Sequence, residues 1–102
     1  MSYLKNILKF SSYGNYSSKN YGVNALVFTD INNVDYYFSY NTLIAFNHSS
    51  IGLVIMKNYW GTTTGKHLNW IDRDKTIRVD EDIFYNKLDE LKSRLVINVP
   101  VL

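Results

Sequence analysis

The stretch VDYYFSYNTLIAF, residues 34–46, decides the fold of this chain. Over residues 34–40, apolar or aromatic side chains at even positions alternate with Asp35, Tyr37 and Ser39 at odd positions. Successive side chains of a strand point to opposite faces of a sheet, so this period of two predicts a half-buried strand. A β-sheet therefore forms the centre of the predicted fold.

Strand-like segments lie on both sides of this stretch. Residues 22–30, GVNALVFTD, are rich in β-branched and aromatic side chains, and the asparagines of residues 31–33 favour a turn, so an antiparallel hairpin is predicted. After a polar turn at residues 47–50, the continuous apolar run of residues 51–57 predicts a central strand. With an edge strand over residues 3–10, the prediction is an antiparallel sheet of about four strands.

The pattern changes to a helical one after Asn58. One threonine of residues 62–64 can N-cap a short helix that runs to about Ile71. Leu68 and Ile71 are three residues apart and would both face inward, while Gly65 would weaken the start of the helix. We therefore expect a short first helix.

A second, longer helix begins after residue 80. Asp80 is placed to N-cap it, and Glu81 and Asp82 favour the positive end of the helix dipole. Four apolar side chains at helical spacing form one stripe, namely Phe84, Leu88, Leu91 and Leu95. The predicted fold is thus α+β, a single domain over residues 1–102, with both helices of the C-terminal half packed on one face of the sheet.

Composition limits the function classes. The chain has 102 residues, of which 46% are hydrophobic and 20% charged, as in an ordinary globular domain. A net charge of +2 without blocks of one sign does not indicate a nucleic-acid or membrane protein. The lack of cysteine excludes disulfides, thiol catalysis and thiolate metal sites. With no apolar run near the roughly 20 residues of a membrane span, we expect a cytoplasmic protein.

The segment YWGTTTGKHLNWID, residues 59–72, permits three interpretations. Free amides at a helix start, the hydroxyls of Thr63 and Thr64 and the ammonium of Lys66 could bind an anion such as phosphate. His67 could act as a general base, if a carboxylate and a nucleophile lay within reach. The segment lacks the GxxxxGK[ST] pattern of a nucleotide loop, so a capped structural helix is the favoured interpretation.

The histidines give little support for catalysis or metal binding. Asp72 and Ser39 are the candidate carboxylate and nucleophile for His67, and a hydrogen-bonded structural or interface histidine is the simpler expectation. His48 lies in a predicted turn and should be exposed to solvent. The two histidines are separated by 19 positions without metal-site spacing, so we predict no metal, no cofactor and no catalytic residue.

The tract SSYGNYSSKNY, residues 11–21, predicts a long surface loop. Its tyrosines Tyr13, Tyr16 and Tyr21 could stack unpaired bases while Lys19 contacts a phosphate. The same side chains suit a protein-binding surface, where tyrosine supplies contact area at low entropic cost. The low net charge favours a protein partner, because electrostatics supplies most of nonspecific nucleic-acid affinity.

Three segments together resemble a family of small, mostly uncharacterised proteins encoded by bacteriophages and prophages. They are GNYSSKNYG at residues 14–22, YYFSYNTLIAF at residues 36–46 and NYWGTTTGKHLNWID at residues 58–72. The order of the elements and the closing helix reinforce the resemblance, which covers most of the chain. It implies a phage or mobile-element origin and supplies no reaction or catalytic residue. The apolar tail at residues 96–102 departs from the pattern.

These observations predict a non-catalytic phage or prophage accessory protein that binds and inhibits a bacterial host protein or ribonucleoprotein. An anti-CRISPR that occludes a CRISPR effector is the most concrete form of this expectation. The alternative is a small nucleic-acid-binding module, and the tail could add a strand or join two copies into a homodimer. The expected partner-binding residues are Tyr16, Lys19, Asn20, Tyr21, Thr63, Thr64, Lys66 and His67.

Overall fold

A five-stranded antiparallel sheet organises the computed structural model, which describes residues 7–13 and 24–95. The strands lie side by side in chain order, as β1 (Ile7–Ser12), β2 (Ala25–Asp30), β3 (Asp35–Ser39), β4 (Thr42–His48) and β5 (Gly52–Ile55). Two α-helices follow, α1 (Thr62–Ile71) and α2 (Glu81–Arg94), with a short 3₁₀ turn (Lys75–Ile77) between them. The predicted α+β class is confirmed, with one strand more than expected.

The turn between β2 and β3 shows why the meander forms. Asn33 adopts a left-handed backbone with φ of 62°, which asparagine tolerates better than most residues. Asp30 is buried, and its carboxylate accepts backbone hydrogen bonds from Asn32 at 2.9 Å and Val34 at 3.1 Å. This side chain therefore closes the turn that the two asparagines predict.

A β-bulge in β4 changes which side chains share a face. Tyr37 pairs with Ala45, whereas Phe38 pairs with Leu43, so Ile44 is an extra residue in the ladder. As a result Ile44 and Ala45 both belong to one core cluster, which strict alternation would not allow. The bulge broadens the apolar surface on that face of the sheet.

The two helices cover opposite faces of the sheet. Phe84, Leu88 and Leu91 of α2 pack in one cluster with side chains that include Phe46 and Val54. Leu68 of α1 belongs to a separate cluster on the other face, with Ile44, Ala45 and Ile55. The prediction that both helices share one face is wrong. Both faces of the central strands are apolar, so each needs its own cover.

Strand β5 lies at the edge of the sheet, so its predicted central position is also wrong. Its apolar run is explained by the two faces, because Val54 and Ile55 point to opposite clusters. The chain returns beside it at Val79, which donates to the carbonyl of Ile55 and accepts from the amide of Lys57, each at 2.9 Å. This parallel contact partly covers the open edge.

The helix boundaries follow the predicted pattern, but the caps differ. Gly61, and no threonine, occupies the N-cap of α1, without a side-chain capping bond. Asp80 does occupy the N-cap of α2, yet its carboxylate pairs with Lys57 at 2.8 Å instead of capping the helix. The predicted apolar stripe of α2 is confirmed, with Leu95 packed at its end. Residues 1–6, 14–23 and 96–102, including the tail, lie outside the described ranges.

Phe84→Ala should destabilise the fold strongly. Phe84 is fully buried and meets the ring of Phe46 edge-on at 5.1 Å. Truncating a buried phenylalanine costs about 3–5 kcal/mol, a large fraction of the stability of a small domain. Urea unfolding followed by circular dichroism measures this cost. The neighbouring Ile83→Ala, at an exposed position, is the control, and equal losses in both variants would contradict the packing described.

Candidate functional site

A buried polar cluster joins the sheet to α1. The hydroxyl of Ser39 lies 2.6 Å from Nδ1 of His67 and 3.0 Å from the hydroxyl of Thr64. Ser39 and His67 are 2% and 0% exposed, and Thr64 is also buried. Ser39 ends β3 on the face of Tyr37, while Thr64 and His67, three residues apart, share the inner face of α1. The cluster therefore forms where the strand end meets the helix.

Aromatic rings enclose His67. Ring centroids lie 5.3 Å away for Trp70, 5.8 Å for Tyr40 and 6.3 Å for Tyr13. Tyr13 donates its phenol hydrogen to the carbonyl of Phe38 at 2.9 Å. Burial, and then the nearby phenol of Tyr37, raise the pKa of Tyr13 well above its usual range. Tyr13 is thus a packing residue and does not present a ring for stacking bases.

A serine and a histidine could serve as a nucleophile and its general base, but a substrate cannot reach the Ser39–His67 pair. Neither side chain reaches the surface, and the serine hydroxyl is shared with Thr64. The carboxylate of Asp72 accepts the backbone hydrogen bond of Asp74 at 2.8 Å, in the turn after α1. A general base must lie within hydrogen-bond reach of its substrate. This arrangement matches the expected structural histidine.

Burial also corrects part of the predicted contact surface. The side chains of Thr64 and His67 point into the protein, so neither offers contact area to a partner. Thr63 is half-buried, and Lys66 lines a groove on the outer side of α1. Tyr16, Lys19, Asn20 and Tyr21 lie outside the described residues. His48, expected in a solvent-exposed turn, is half-buried and bonds the carbonyl of Asn32 at 3.0 Å.

The groove is a basic surface that the sequence did not reveal. It has a volume of about 400 Å³ and is lined by Lys66, Asn69, Trp70, Arg73 and Lys75. Spacings of three and four residues place Lys66, Asn69 and Trp70 on one helical face, and Arg73 follows the end of α1. The helical spacing was the available signal for the first three residues. Lys75 joins the face because the chain bends after α1.

Arg78 supports this groove from behind. Its guanidinium donates to the amide oxygen of Asn69 at 2.9 Å and to the backbone carbonyl of Asp72 at 3.3 Å. The contact fixes Asn69 at the groove and places another cation beside Asn69 and the end of α1. We call Lys66, Asn69, Trp70, Arg73 and Lys75 the α1 groove.

Asn58 organises the start of α1 where a threonine cap was expected. Its amide nitrogen donates to the carbonyl of Gly61 at 3.1 Å, and its amide oxygen accepts from the backbone of Trp60 at 2.9 Å. A Cβ on Gly65 would lie 3.1 Å from that same nitrogen. Glycine at position 65 therefore lets Asn58 approach the helix closely.

Residues 7–13 and 24–95 are the described part of the chain. In these ranges no group of three or more histidine or carboxylate residues is arranged to hold a metal ion. Over the same ranges, none of the helices is both long and apolar enough to cross a membrane.

Comparison with known proteins identifies a family but no activity. Residues 8–87 match the model of a family of unknown function, DUF8033, and this chain belongs to that family. No curated protein and no solved structure matches the chain. The functional argument therefore depends on the chemistry of the described residues.

Ser39→Ala should destabilise the protein by about 1–3 kcal/mol, because Nδ1 of His67 and the Thr64 hydroxyl lose a partner inside the protein. Ser50→Ala is the matched control, since it removes a serine–histidine bond of 2.8 Å at an exposed turn. Urea unfolding compares the two. A stable Ser39→Ala protein that has lost a measurable turnover would instead identify a catalytic serine.

Proposed function

We propose that this member of DUF8033 is a non-catalytic phage or prophage accessory protein that binds and inhibits a host target in the bacterial cytoplasm. Its most concrete form is an anti-CRISPR that occludes a CRISPR effector. The three segments that resemble small phage proteins motivate the origin. The sealed Ser39–His67 pair supports a role without catalysis.

One observation supports binding above all: three large aromatic side chains are exposed at the surface, and two of them are in ring contact. Tyr59, Trp60 and Tyr85 are 52%, 43% and 45% exposed. Tyrosine and tryptophan are enriched at protein interfaces, where they supply much of the binding energy. Exposed rings contribute little to the stability of the fold, and they are accessible to a binding partner.

The geometry ties these rings into one surface, which we call the aromatic surface. The rings of Tyr59 and Trp60 meet edge-on at 5.9 Å, and the Tyr59 hydroxyl accepts the backbone hydrogen of Glu81 at 3.2 Å. Tyr85 lies one helical turn after Glu81, four residues on. The loop before α1 and the first turns of α2 therefore present aromatic rings together.

Further contacts extend from this surface in the proposal. Thr63 and Lys66 lie on the following helix, α1, and retain surface area. Tyr16, Lys19, Asn20 and Tyr21, from the segment of residues 14–23, are also proposed as contacts. Stable complexes cover about 800 Å² per partner, so the proposal requires a host protein to dock across several of these contacts at once. Steric occlusion needs no chemistry beyond that.

Cleavage by a purified CRISPR effector tests the proposal. A guide-loaded effector from the host cuts a labelled target DNA, and adding this chain should slow the cleavage in proportion to complex formation. Tyr59→Ser combined with Trp60→Ser should weaken binding about 30-fold or more, as loss of central aromatic contacts does, with melting temperature nearly unchanged. Tyr16→Ala with Tyr21→Ala tests the segment of residues 14–23 in the same assay.

Tyr40→Asn is the control for these variants. Tyr40 is also an exposed tyrosine, and its left-handed φ of 56° suits asparagine. It should bind like the wild type. If the wild-type chain neither binds nor slows the effectors of its host, the anti-CRISPR proposal fails. If it inhibits and the Tyr59/Trp60 variant inhibits equally, the contact surface lies elsewhere.

A further inference from the structure

We propose that the α1 groove binds single-stranded nucleic acid, with Trp70 stacking on an unpaired base and the surrounding cations contacting phosphates. In this arrangement His67 is a positioning residue that holds the indole from inside the protein. The inference goes beyond the host target proposed above, because it concerns a surface that shares only Lys66 with the proposed host contacts and needs no host component.

Trp70 forms a supported platform. Its ring lies over the imidazole of His67 at a centroid distance of 5.3 Å, with only 33° between the planes. His67 is in turn fixed by the Ser39 hydroxyl at 2.6 Å. The indole is half-buried on this support and also lines the groove. A ring held in place loses little entropy when a base stacks on it, which favours binding.

The charge of the groove complements a phosphate chain. Lys66, Arg73 and Lys75 line it, and Arg78 lies behind Asn69. Because the Asn69 amide oxygen accepts from Arg78, its NH₂ group remains the donor end toward a ligand. Lysine and arginine at this density around one aromatic ring are typical of single-strand binding surfaces.

Two carboxylates lie close by in the turn after α1. Asp72 accepts from the backbone of Asp74 at 2.8 Å, and Asp74 accepts from the backbone of Thr76 at 2.9 Å. Hydrogen bonds from Thr76 hold the pKa of Asp74 below its usual value. Both groups stabilise the turn, and neither lines the groove. Four basic groups against two acidic ones leave the region positive.

The tryptophan distinguishes between possible anionic ligands. An acidic peptide would satisfy the cations but has no need of a flat, supported ring. In a duplex the bases are already stacked on each other, so the indole could not reach a base face without unpairing it. An unpaired nucleotide supplies a base for the indole and a phosphate for the cations. The groove volume of about 400 Å³ suits a small number of nucleotides.

Fluorescence anisotropy of labelled 12-nucleotide DNA and RNA strands tests the proposal with the purified full chain. The probes are single strands, the corresponding duplexes and a poly-glutamate peptide, at salt concentrations from 50 to 200 mM. We expect single strands to bind best. Three to four phosphate contacts predict a plot of log affinity against log salt with a slope of about −2 to −3.

Variants locate the site. Trp70→Ala should weaken single-strand binding about 10-fold with an unchanged salt slope. Trp60→Ala, at the exposed tryptophan outside the α1 groove, should leave single-strand affinity unchanged. Arg73→Ala with Lys75→Ala should flatten the slope by about 1.4. Lys92→Ala with Arg94→Ala removes the same charges from α2, on the other face of the sheet, and corrects for a general charge effect.

Ser39→Ala tests the positioning role of His67. The substitution changes no residue of the groove, so the salt slope should remain that of the wild type. The affinity should fall several-fold because His67 no longer holds the Trp70 ring firmly. In a Trp60→Phe background, the Trp70 fluorescence of this variant should become easier to quench with acrylamide. An unchanged affinity, together with unchanged quenching, would overturn the positioning role.

Several results would overturn the proposal as a whole. They are no binding of single strands at 50 mM salt, tighter binding of poly-glutamate or duplex, and equal losses in the α1 and α2 charge variants. Far-UV circular dichroism confirms that each variant is folded, and Trp70→Phe replaces Trp70→Ala if the latter unfolds. The CRISPR effector assay is read separately, so either proposal can fail alone.

Discussion

The hydrogen bond between Ser39 and His67 is the constraint on which the α1 half of the molecule depends. Apart from Leu68 and Ile71, this helix contributes few apolar side chains to the core, so hydrophobic burial alone specifies its position weakly. The buried hydroxyls and imidazole specify it more sharply. A small shift of the helix would break the bonds of Ser39 to Thr64 and to His67, and a buried polar group that loses its bond costs about 1–3 kcal/mol.

The two faces of the sheet are therefore covered by helices that are held in different ways. On one face, α2 buries an apolar stripe of Phe84, Leu88 and Leu91, which is the usual source of stability in a small domain. On the other face, α1 docks partly through polar bonds and keeps basic and aromatic side chains on its outer side. The aromatic surface lies where the loop before α1 meets the start of α2. The proposed contacts thus concentrate on elements that packing holds in place.

Much of the fold could be predicted from local sequence. The β2–β3 hairpin, the asparagine turn before β3 and the α2 stripe all depend on neighbours in the chain, and the structure confirms them. The strand period of residues 34–40 was right only in part, because Ser39 is buried and Tyr40 is exposed. The faces taken by the helices could not be predicted, because alternation shows that a strand has two faces without showing which helix covers each. The bulge at Ile44 and the close approach of Asn58 to Gly65 depend on contacts across the fold.

The candidate site was harder to predict for the same reason. Lys66 was predicted as a contact residue and lines a surface groove that was not predicted. His67 is buried because rings from Tyr13 and Tyr40, distant in sequence, close over it. Lys75 joins the α1 groove, and Arg78 contacts Asn69 beside it, only because the chain turns back after the helix. Charged residues in a turn do not indicate, from the local sequence, which other residues they will lie beside in the fold. Residue spacing predicts which side chains share one face of a helix, but it does not predict which other segments pack beside that face.

The most direct test of the link from the buried histidine to the α1 groove is a chemical-shift map. A ¹⁵N-labelled sample is titrated with a 12-nucleotide single strand at constant pH. The account predicts that the Trp70 indole signal and the backbone amides of residues 66–75 shift together, while those of α2 do not. Shifts centred on α2, or no shifts at saturating strand, would contradict it.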